Sequence, residues 1–165
     1  MTFDIYCDGS TRGNGQENSV GAWAYVILTG DTKFYQNCQA EANTTNQRME
    51  LTAAAEALDY LFHNEICVPF DKVRVYTDSA YLHNCVTQRW YINWQNNGWK
   101  NAKKQPVANR DLWERLVKYF DLWEVEFVKV KGHATDSSEY TKWNNYVDSL
   151  AQSASQKLKE EICAS

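Results

Sequence analysis

The sequence predicts an α/β domain built on a five-stranded mixed sheet, three antiparallel strands followed by two parallel strands, with helices on both faces. Its 165 residues are enough for one hydrophobic core. Apolar and polar residues alternate in the first third of the chain, which is typical of antiparallel strands. Strand and helix patterns then alternate, which is typical of parallel strands joined by helices. We therefore expect residues 1–165 to form a single domain.

Three strands are predicted in the first third of the chain. Residues 2–8 alternate between apolar and polar side chains, and residues 8–15 are rich in glycine and short polar residues that favour a turn. Residues 20–29 and 33–40 have strand-like composition and flank Gly30-Asp31, a pair typical of hairpin turns. This order predicts a meander of three antiparallel strands.

Helices and strands alternate in the remainder of the chain. Thr44, with Gln47 three residues later, resembles a capping box and predicts the start of a helix. A short strand over residues 72–77 ends at Asp78, and Asn109 can cap a later helix. The other predicted elements are two short helices over residues 81–86 and 89–96, a strand over 124–130 and a last helix over about 143–158.

Charge is unevenly distributed along the chain. The net charge is −4, which argues against binding nucleic acid over the whole surface. Residues 88–110 contain five basic side chains and no acid, so this segment is +5 and the rest of the chain is −9. Such segregation predicts that a polyanion binds at one place and cations at another.

Cysteine usage and hydropathy indicate the compartment. Five cysteines without C-x-x-C spacing favour free thiols in a reducing cytoplasm over disulfides or a zinc site. The longest apolar run, residues 20–28, falls short of the about 20 residues that span a membrane. We therefore expect a cytoplasmic protein that has no membrane partner.

Four acidic residues occupy positions from which they can meet. Asp8 and Asp78 each end a predicted strand, where the sites of open α/β sheets lie. Glu50 lies in the first turns of an alanine-rich helix, and Asp148 lies one turn after Asn144 on the last helix. Each acid alone is compatible with a solvated strand end or helix face. Together they would repel one another unless divalent cations neutralised them, and all-oxygen ligands predict Mg²⁺ or Mn²⁺.

Seven motifs occur in order along the chain, and the ordered set is far more specific than any one of them. They are Asp8-Gly-Ser10, residues 45–51, 76–79, 98–100, 111–116 and 130–134, and Asn144-x-x-x-Asp148. Over about residues 3–154 the chain resembles type 1 ribonuclease H, the bacterial ribonuclease HI-like family that cuts the RNA strand of RNA·DNA hybrids.

The resemblance implies a ribonuclease H-like fold and an endonuclease that uses two metal ions. The expected cofactors are two Mg²⁺ ions, for which Mn²⁺ can substitute, and the expected products carry 5′-phosphate and 3′-hydroxyl ends. Asp8, Glu50, Asp78 and Asp148 match the four metal-binding carboxylates, with Asp8 bridging both ions. His133 matches a mobile histidine that aids protonation or product departure. A monomer without a separate hybrid-binding domain is expected.

The same resemblance implies a set of residues that bind the RNA·DNA hybrid. They match positions that read the minor groove or ribose 2′-hydroxyls, contact DNA phosphates, or form a basic protrusion: Ser10, Asn14, Asn46, Gln47, Thr87, Trp90, Trp94, Trp99, Lys100, Lys103, Lys104 and Asn144. Trp90 and Trp94 are one helical turn apart, so packing against each other is an alternative for them. For Trp90 we favour core packing and leave contact with the DNA backbone open.

Two other functions remain open from the sequence. An integrase- or resolvase-like DNA nuclease is disfavoured by residues 45–51 and 98–100, which are typical of hybrid-cutting enzymes. A non-catalytic hybrid-binding module is disfavoured because a binder gains nothing from crowding four carboxylates. The chain also departs from the family pattern at Ala80, where many members have glutamine, and in a longer loop between His133 and Asp148.

Overall fold

The computed structural model describes residues 1–13, 17–69 and 71–164 and contains five strands and five helices in those segments. The strands are β1 (Thr2–Arg12), β2 (Val20–Thr29), β3 (Thr32–Ala42), β4 (Lys72–Thr77) and β5 (Glu124–Lys129). The helices are α1 (Asn46–His63), α2 (Ala80–Thr87), α3 (Trp90–Asn96), α4 (Arg110–Leu122) and α5 (Glu139–Ala164). The predicted order of strands and helices is therefore confirmed.

The five strands form one mixed sheet in the order β3-β2-β1-β4-β5. β1 pairs antiparallel with β2, and β2 pairs antiparallel with β3 around the predicted turn at Gly30, whose φ is +62°. β4 lies parallel to both β1 and β5, with Tyr6 opposite Tyr76 as the last rung between β1 and β4. The predicted combination of three antiparallel and two parallel strands is confirmed.

Each face of the sheet is covered by helices, as predicted. On one face, α1 packs against β1, and α4 packs against α1 and β5, with Ile5, Leu58 and Trp113 fully buried. On the other face, α5 places Val147 and Ala151 against Tyr6 and its neighbours in the sheet. β1 therefore lies between two cores, which fixes its position in the fold.

The predicted turn starting at Asp8 is wrong. β1 continues to Arg12 because residues Gly9 to Arg12 stay paired with β2, down to Val20 opposite Arg12. Glycine and serine in this stretch favour a turn locally, but pairing with a neighbouring strand overrides that preference. Asp8 consequently lies inside a strand, two residues beyond the last rung that joins β1 to β4.

Two predicted helix caps are also corrected. Thr45 rather than Thr44 caps α1, since its hydroxyl accepts from the Arg48 amide at 3.2 Å. Thr44 is buried, and its amide donates to the Ser19 hydroxyl at 3.0 Å. Asn109 precedes α4 in the left-handed region, with φ +60°, and its side chain accepts from Arg48 instead of capping the helix.

The last helix is longer than predicted. α5 begins at Glu139 because polar residues ahead of it form a hydrogen-bonded start: Asp136 accepts from the Ser138 amide at 2.9 Å and from the Thr141 hydroxyl at 2.8 Å. Hydrogen bonds from Ser138 and Thr141 lower the pKa of Asp136 to about 2. The five cysteines are free, and no helix of the described segments is long and apolar enough to cross a membrane.

Candidate active site

Three carboxylates from different elements converge at one end of the sheet. Asp8 lies in β1, Asp78 follows the last residue of β4, and Glu50 lies in the second turn of α1. One oxygen from each lies within 4.8 Å of the other two. Asp8 and Glu50 are buried, with 4% and 8% of their surfaces exposed. The structure thus brings together three of the four acids that the sequence singled out as candidate metal ligands.

Glu50 reaches the sheet because α1 lies directly on the backbone of β1 at Gly9. A Cβ atom built on Gly9 would lie 2.5 Å from the Glu50 amide nitrogen and 2.7 Å from the Met49 carbonyl carbon. Ala53 and Ala54, small residues of the same alanine-rich helix, are buried as well. Gly9 itself was missed as a positioning residue, and the signal was a glycine directly after the candidate aspartate.

The cluster is electrostatically strained without a cation. Burial, followed by the negative charges and side chains of Asp78, Asp148 and Glu50, raises the pKa of Asp8 far above its ordinary value. Burial also raises the pKa of Glu50 to about 6, although a hydrogen bond from Asn46 Nδ2 at 3.1 Å opposes the shift. Among the ion pairs of the described residues, none brings lysine or arginine to Asp8, Glu50 or Asp78.

Asp148 approaches the cluster from α5, on the opposite face of the sheet. Its side chain and its negative charge raise the pKa of Asp8, so it lies within electrostatic reach of that carboxylate. It is not one of the three acids whose oxygens lie within 4.8 Å of one another. His133 is exposed, has φ +52°, and places Nδ1 3.7 Å from Asp148 Oδ2. The histidine therefore lies at the rim of the site rather than within it.

Asn144 has a different place from the predicted substrate contact. It is 1% exposed, and its Nδ2 donates to Asp78 Oδ2 at 3.4 Å. A Cβ on Gly132 would lie 3.0 Å from the same Asp78 oxygen, so the chain before His133 also packs against this carboxylate. A residue this deeply buried supports Asp78 and cannot itself meet a nucleic acid on the surface.

The predicted groove-reading residues lie beside the carboxylates where they are described. Ser10 is partly buried in β1, while Asn46 and Gln47 form the first turn of α1, Gln47 with its side chain exposed. Asn46 donates a hydrogen bond to Glu50 and so connects these predicted groove-reading residues to the acidic cluster. Asn14 lies outside the described residues.

The tryptophans of the basic segment differ in how far they are exposed. Trp94 is partly buried and packs edge-on against Trp113, with ring centroids 5.4 Å apart. The Arg110 guanidinium lies 5.6 Å from the centre of the Trp99 ring. Trp90 is 38% exposed, so the expected core packing of Trp90 is wrong and Trp94 has that place. The nearby lysines, Lys100, Lys103 and Lys104, are exposed.

Thr87 is the last residue of α2 and precedes the tryptophans and lysines of the basic segment. Its hydroxyl donates to the His83 carbonyl at 2.7 Å, and the residue is exposed. Together with Arg89 it borders a cleft of about 760 Å³ whose apolar wall includes Phe120 and Phe127. A hydroxyl and a guanidinium on one rim are compatible with the phosphate contact predicted for Thr87.

Crowded buried carboxylates with no basic partner are typical ligands of hard divalent cations. The residues therefore fit a divalent metal site on their own chemistry. An α/β protein whose clustered carboxylates fit divalent cations is the class that this fold and this site define.

Comparison with known proteins narrows the class to a family. A model of the RNase H family matches residues 2–156. A ribonuclease H from Clostridium botulinum is 43% identical over 150 residues, covering 91% of this chain and 93% of that protein. A ribonuclease H from Moorella thermoacetica is 44% identical over 157 residues, covering 95% and 93%. The chain belongs to the ribonuclease H family and is a ribonuclease, which confirms the resemblance found in the sequence.

Solved structures share the fold. LC9-RNase H1, a type 1 RNase H with the type 2 active-site motif, is 28% identical with a TM-score of 0.76, over 94% of this chain and 72% of that one. LC11-RNase H1, solved in complex with an RNA/DNA hybrid, is 20% identical with a TM-score of 0.64, over 94% and 98%. The second likeness concerns the fold alone.

Proposed function

We propose that this ribonuclease hydrolyses the RNA strand of RNA·DNA hybrids and that Asp8, Glu50, Asp78 and Asp148 hold its divalent cations. The observation that supports this most strongly is the convergence of three carboxylate oxygens within 4.8 Å without a basic partner among the described residues. We propose two Mg²⁺ ions, with Mn²⁺ as a substitute, since hard oxygen ligands suit both. Two such ions, held by these carboxylates, would supply activation of a water and charge stabilisation at the leaving 3′-oxygen, and the products would then end in 5′-phosphate and 3′-hydroxyl.

Asp8 is the central acid of the proposed set. Asp78, Asp148 and Glu50 all raise its pKa, so each lies within electrostatic reach of this one carboxylate. A carboxylate at the centre of the cluster is the one suited to bridge two cations. Glu50 and Asp78 hold their places through the backbone contact at Gly9 and the hydrogen bond from Asn144.

His133 is proposed to move protons or assist departure of the product. It is exposed at the rim and within 3.7 Å of Asp148, and histidine is the side chain that exchanges protons near neutral pH. Its position outside the buried cluster suits a group that meets solvent.

Substrate recognition is proposed to use two surfaces. Ser10, Asn46 and Gln47, with Asn14 implied by the resemblance, read the wide minor groove, where the 2′-hydroxyl distinguishes RNA from DNA. The second surface contacts phosphates, which supply most sequence-independent affinity, and comprises Thr87, Trp90, Trp94, Trp99, Lys100, Lys103 and Lys104. Of its tryptophans, Trp90 is the most exposed candidate for direct contact.

The setting is also a proposal. A single catalytic domain is supported by the family match over residues 2–156, and a reducing cytoplasm is supported by five free cysteines. We propose that the protein acts there as a monomer.

The deciding experiment compares substrates under controlled metal supply. Labelled RNA·DNA hybrid, RNA duplex, single-stranded RNA and DNA duplex are incubated with Mg²⁺ or Mn²⁺, and again with a chelator. We expect cutting of the RNA strand of the hybrid alone, and none with chelator. Equal cutting of all substrates, or full activity in chelator, contradicts the proposal. Cleavage of DNA duplex would favour the integrase-like alternative, and binding without cleavage the non-catalytic module.

A further inference from the structure

Helix α5 directs polar side chains toward the carboxylate cluster at intervals of one turn. Asn144 donates to Asp78, and Asp148 places its charge within electrostatic reach of Asp8. One turn later, Gln152 donates from Nε2 to Asp148 Oδ2 at 2.9 Å. Residues four positions apart share a face of a helix. One face of α5 therefore carries both the donor to Asp78 and the donor to Asp148.

Asp148 needs such support more than Asp8 and Glu50 do. Asp8 is 4% exposed and Glu50 is 8% exposed, so packing restricts their side chains. The side chain of Asp148 is 20% exposed, and the residue stands outside the tight group of three carboxylates. His133 Nδ1 lies 3.7 Å from Asp148 Oδ2 and the histidine is largely exposed, whereas Gln152 Nε2 lies 2.9 Å from the same oxygen.

We propose that Gln152 is a positioning residue that holds the Asp148 carboxylate in the orientation in which it binds a divalent cation. Partners that hydrogen-bond to ligating carboxylates orient them and influence metal affinity. An amide suits the position because it donates a hydrogen bond without a positive charge that would repel the cation. This inference rests on the proposed function, because it assumes that Asp148 is a metal ligand.

The chain offers a matched control on the same helix. Gln156, one turn after Gln152, donates from Nε2 to Glu160 at 2.8 Å with the same four-residue spacing. It lies two turns from Asp148 and contacts no acid of the cluster in the described residues. Gln152→Met and Gln156→Met each keep the length of the side chain and remove the donor.

The experiment measures Mn²⁺ binding to the full-length protein by calorimetry, without nucleic acid, for the unmodified chain, both methionine variants and Asp148→Asn. We expect the dissociation constant of Gln152→Met to rise about tenfold and that of Gln156→Met to stay unchanged. In the hybrid-cleavage assay, Gln152→Met should need about tenfold more metal for half-maximal rate and recover its kcat at saturation.

Equal dissociation constants for the two methionine variants would overturn the inference, and circular dichroism would show that both are folded. Unmodified affinity in Asp148→Asn would overturn it too, because Asp148 would then not be a ligand. Failure of the unmodified protein to bind Mn²⁺ would instead contradict the proposed function, and the inference with it.

Discussion

The amide nitrogen of Glu50 and the α-carbon of Gly9 lie so close that no side chain fits between them. A Cβ on Gly9 would sit 2.5 Å from that nitrogen and 2.8 Å from the Met49 Cβ. The contact joins α1 to β1 where Asp8 and Glu50 approach each other. Gly9→Ala should therefore move the helix and separate two of the acids.

We expect Gly9→Ala to lower the free energy of unfolding by about 1–3 kcal/mol, the usual cost of overpacking, and to reduce cleavage more than stability explains. Denaturant unfolding and the hybrid assay measure the two effects. Gly30→Ala is the control, because it lies in open space at φ +62° and should lose stability without losing activity. Full activity in Gly9→Ala would show that the close approach is not needed.

Replacing the central acid should separate catalysis from stability. Burial and three neighbouring acids disfavour the ionised form of Asp8, and Asp8→Asn removes that unfavourable ionisation. The free energy of unfolding of the metal-free variant should therefore be about 1–2 kcal/mol higher than that of the unmodified chain. Turnover should fall about a thousandfold or more, as for other catalytic groups. Asp31→Asn, in the exposed hairpin turn, should change neither quantity. A destabilised but active Asp8→Asn would argue against charge crowding.

The two tryptophans of α3 should behave differently. Trp94→Ala removes a ring that packs on Trp113 and should cost about 2–3 kcal/mol of unfolding free energy. Trp90→Ala removes an exposed ring and should change stability by less than about 0.5 kcal/mol, while it weakens hybrid binding. Thermal unfolding and a filter-binding assay distinguish the two. A large loss of stability in Trp90→Ala and none in Trp94→Ala would instead indicate that Trp90 packs in the core.

The exposed lysines of the basic segment should govern the salt dependence of binding. Substituting Lys100, Lys103 and Lys104 with alanine should raise KM and leave kcat nearly unchanged. For each phosphate that the variant no longer neutralises, the slope of log affinity against log salt should fall by about 0.9. Lys157→Ala, on exposed α5 surface, serves as control. A triple variant with the unmodified slope would exclude these lysines as phosphate ligands.

Acid should loosen the start of α5. The pKa of Asp136 is lowered to about 2 in the folded chain, chiefly by hydrogen bonds from Ser138. A lowered folded-state pKa contributes stability above the unfolded value of about 4, and that stability is lost as pH falls from about 4 toward 2. Asp136→Ala should therefore lose less stability over this interval than the unmodified chain. If the free energies of unfolding of the two proteins fell in parallel with pH, Asp136 would not be the source of this acid sensitivity.

Much of the fold follows from local patterns, and the errors have local causes. The strand at Lys72–Thr77 and the hairpin at Gly30 follow from alternation and turn chemistry that the structure keeps. The extension of β1 past Asp8 does not, because its reason is pairing with β2. Thr44 and Thr45 both suit a cap, and only the burial of Thr44 beside Ser19 decides between them.

In the candidate site too, some residues could be predicted from local sequence and others depend on tertiary packing. Residue type and position, at a strand end for Asp8 and Asp78 and in the first turns of a helix for Glu50, identified three acids that the structure brings together. The supporting contacts of Gly9 and Asn144 depend on how helices dock on the sheet, and no single segment encodes that docking. Exposure of Trp90 likewise depends on which side of α3 meets α4, a tertiary outcome that spacing alone leaves undecided.

β1 pairs with β2 over a longer stretch than with β4, and this difference has a practical consequence. β1 stays joined to β2 as far as Arg12, while its ladder with β4 stops at Tyr6. The two strands therefore separate beyond Tyr6, and Asp8 lies on β1 just past that point. Backbone pairing, not the carboxylates, sets where the strands part, so replacing the acids one at a time should leave the arrangement of the strands unchanged. Inactive variants should then stay folded and should be suitable for capturing substrate that has not been cut.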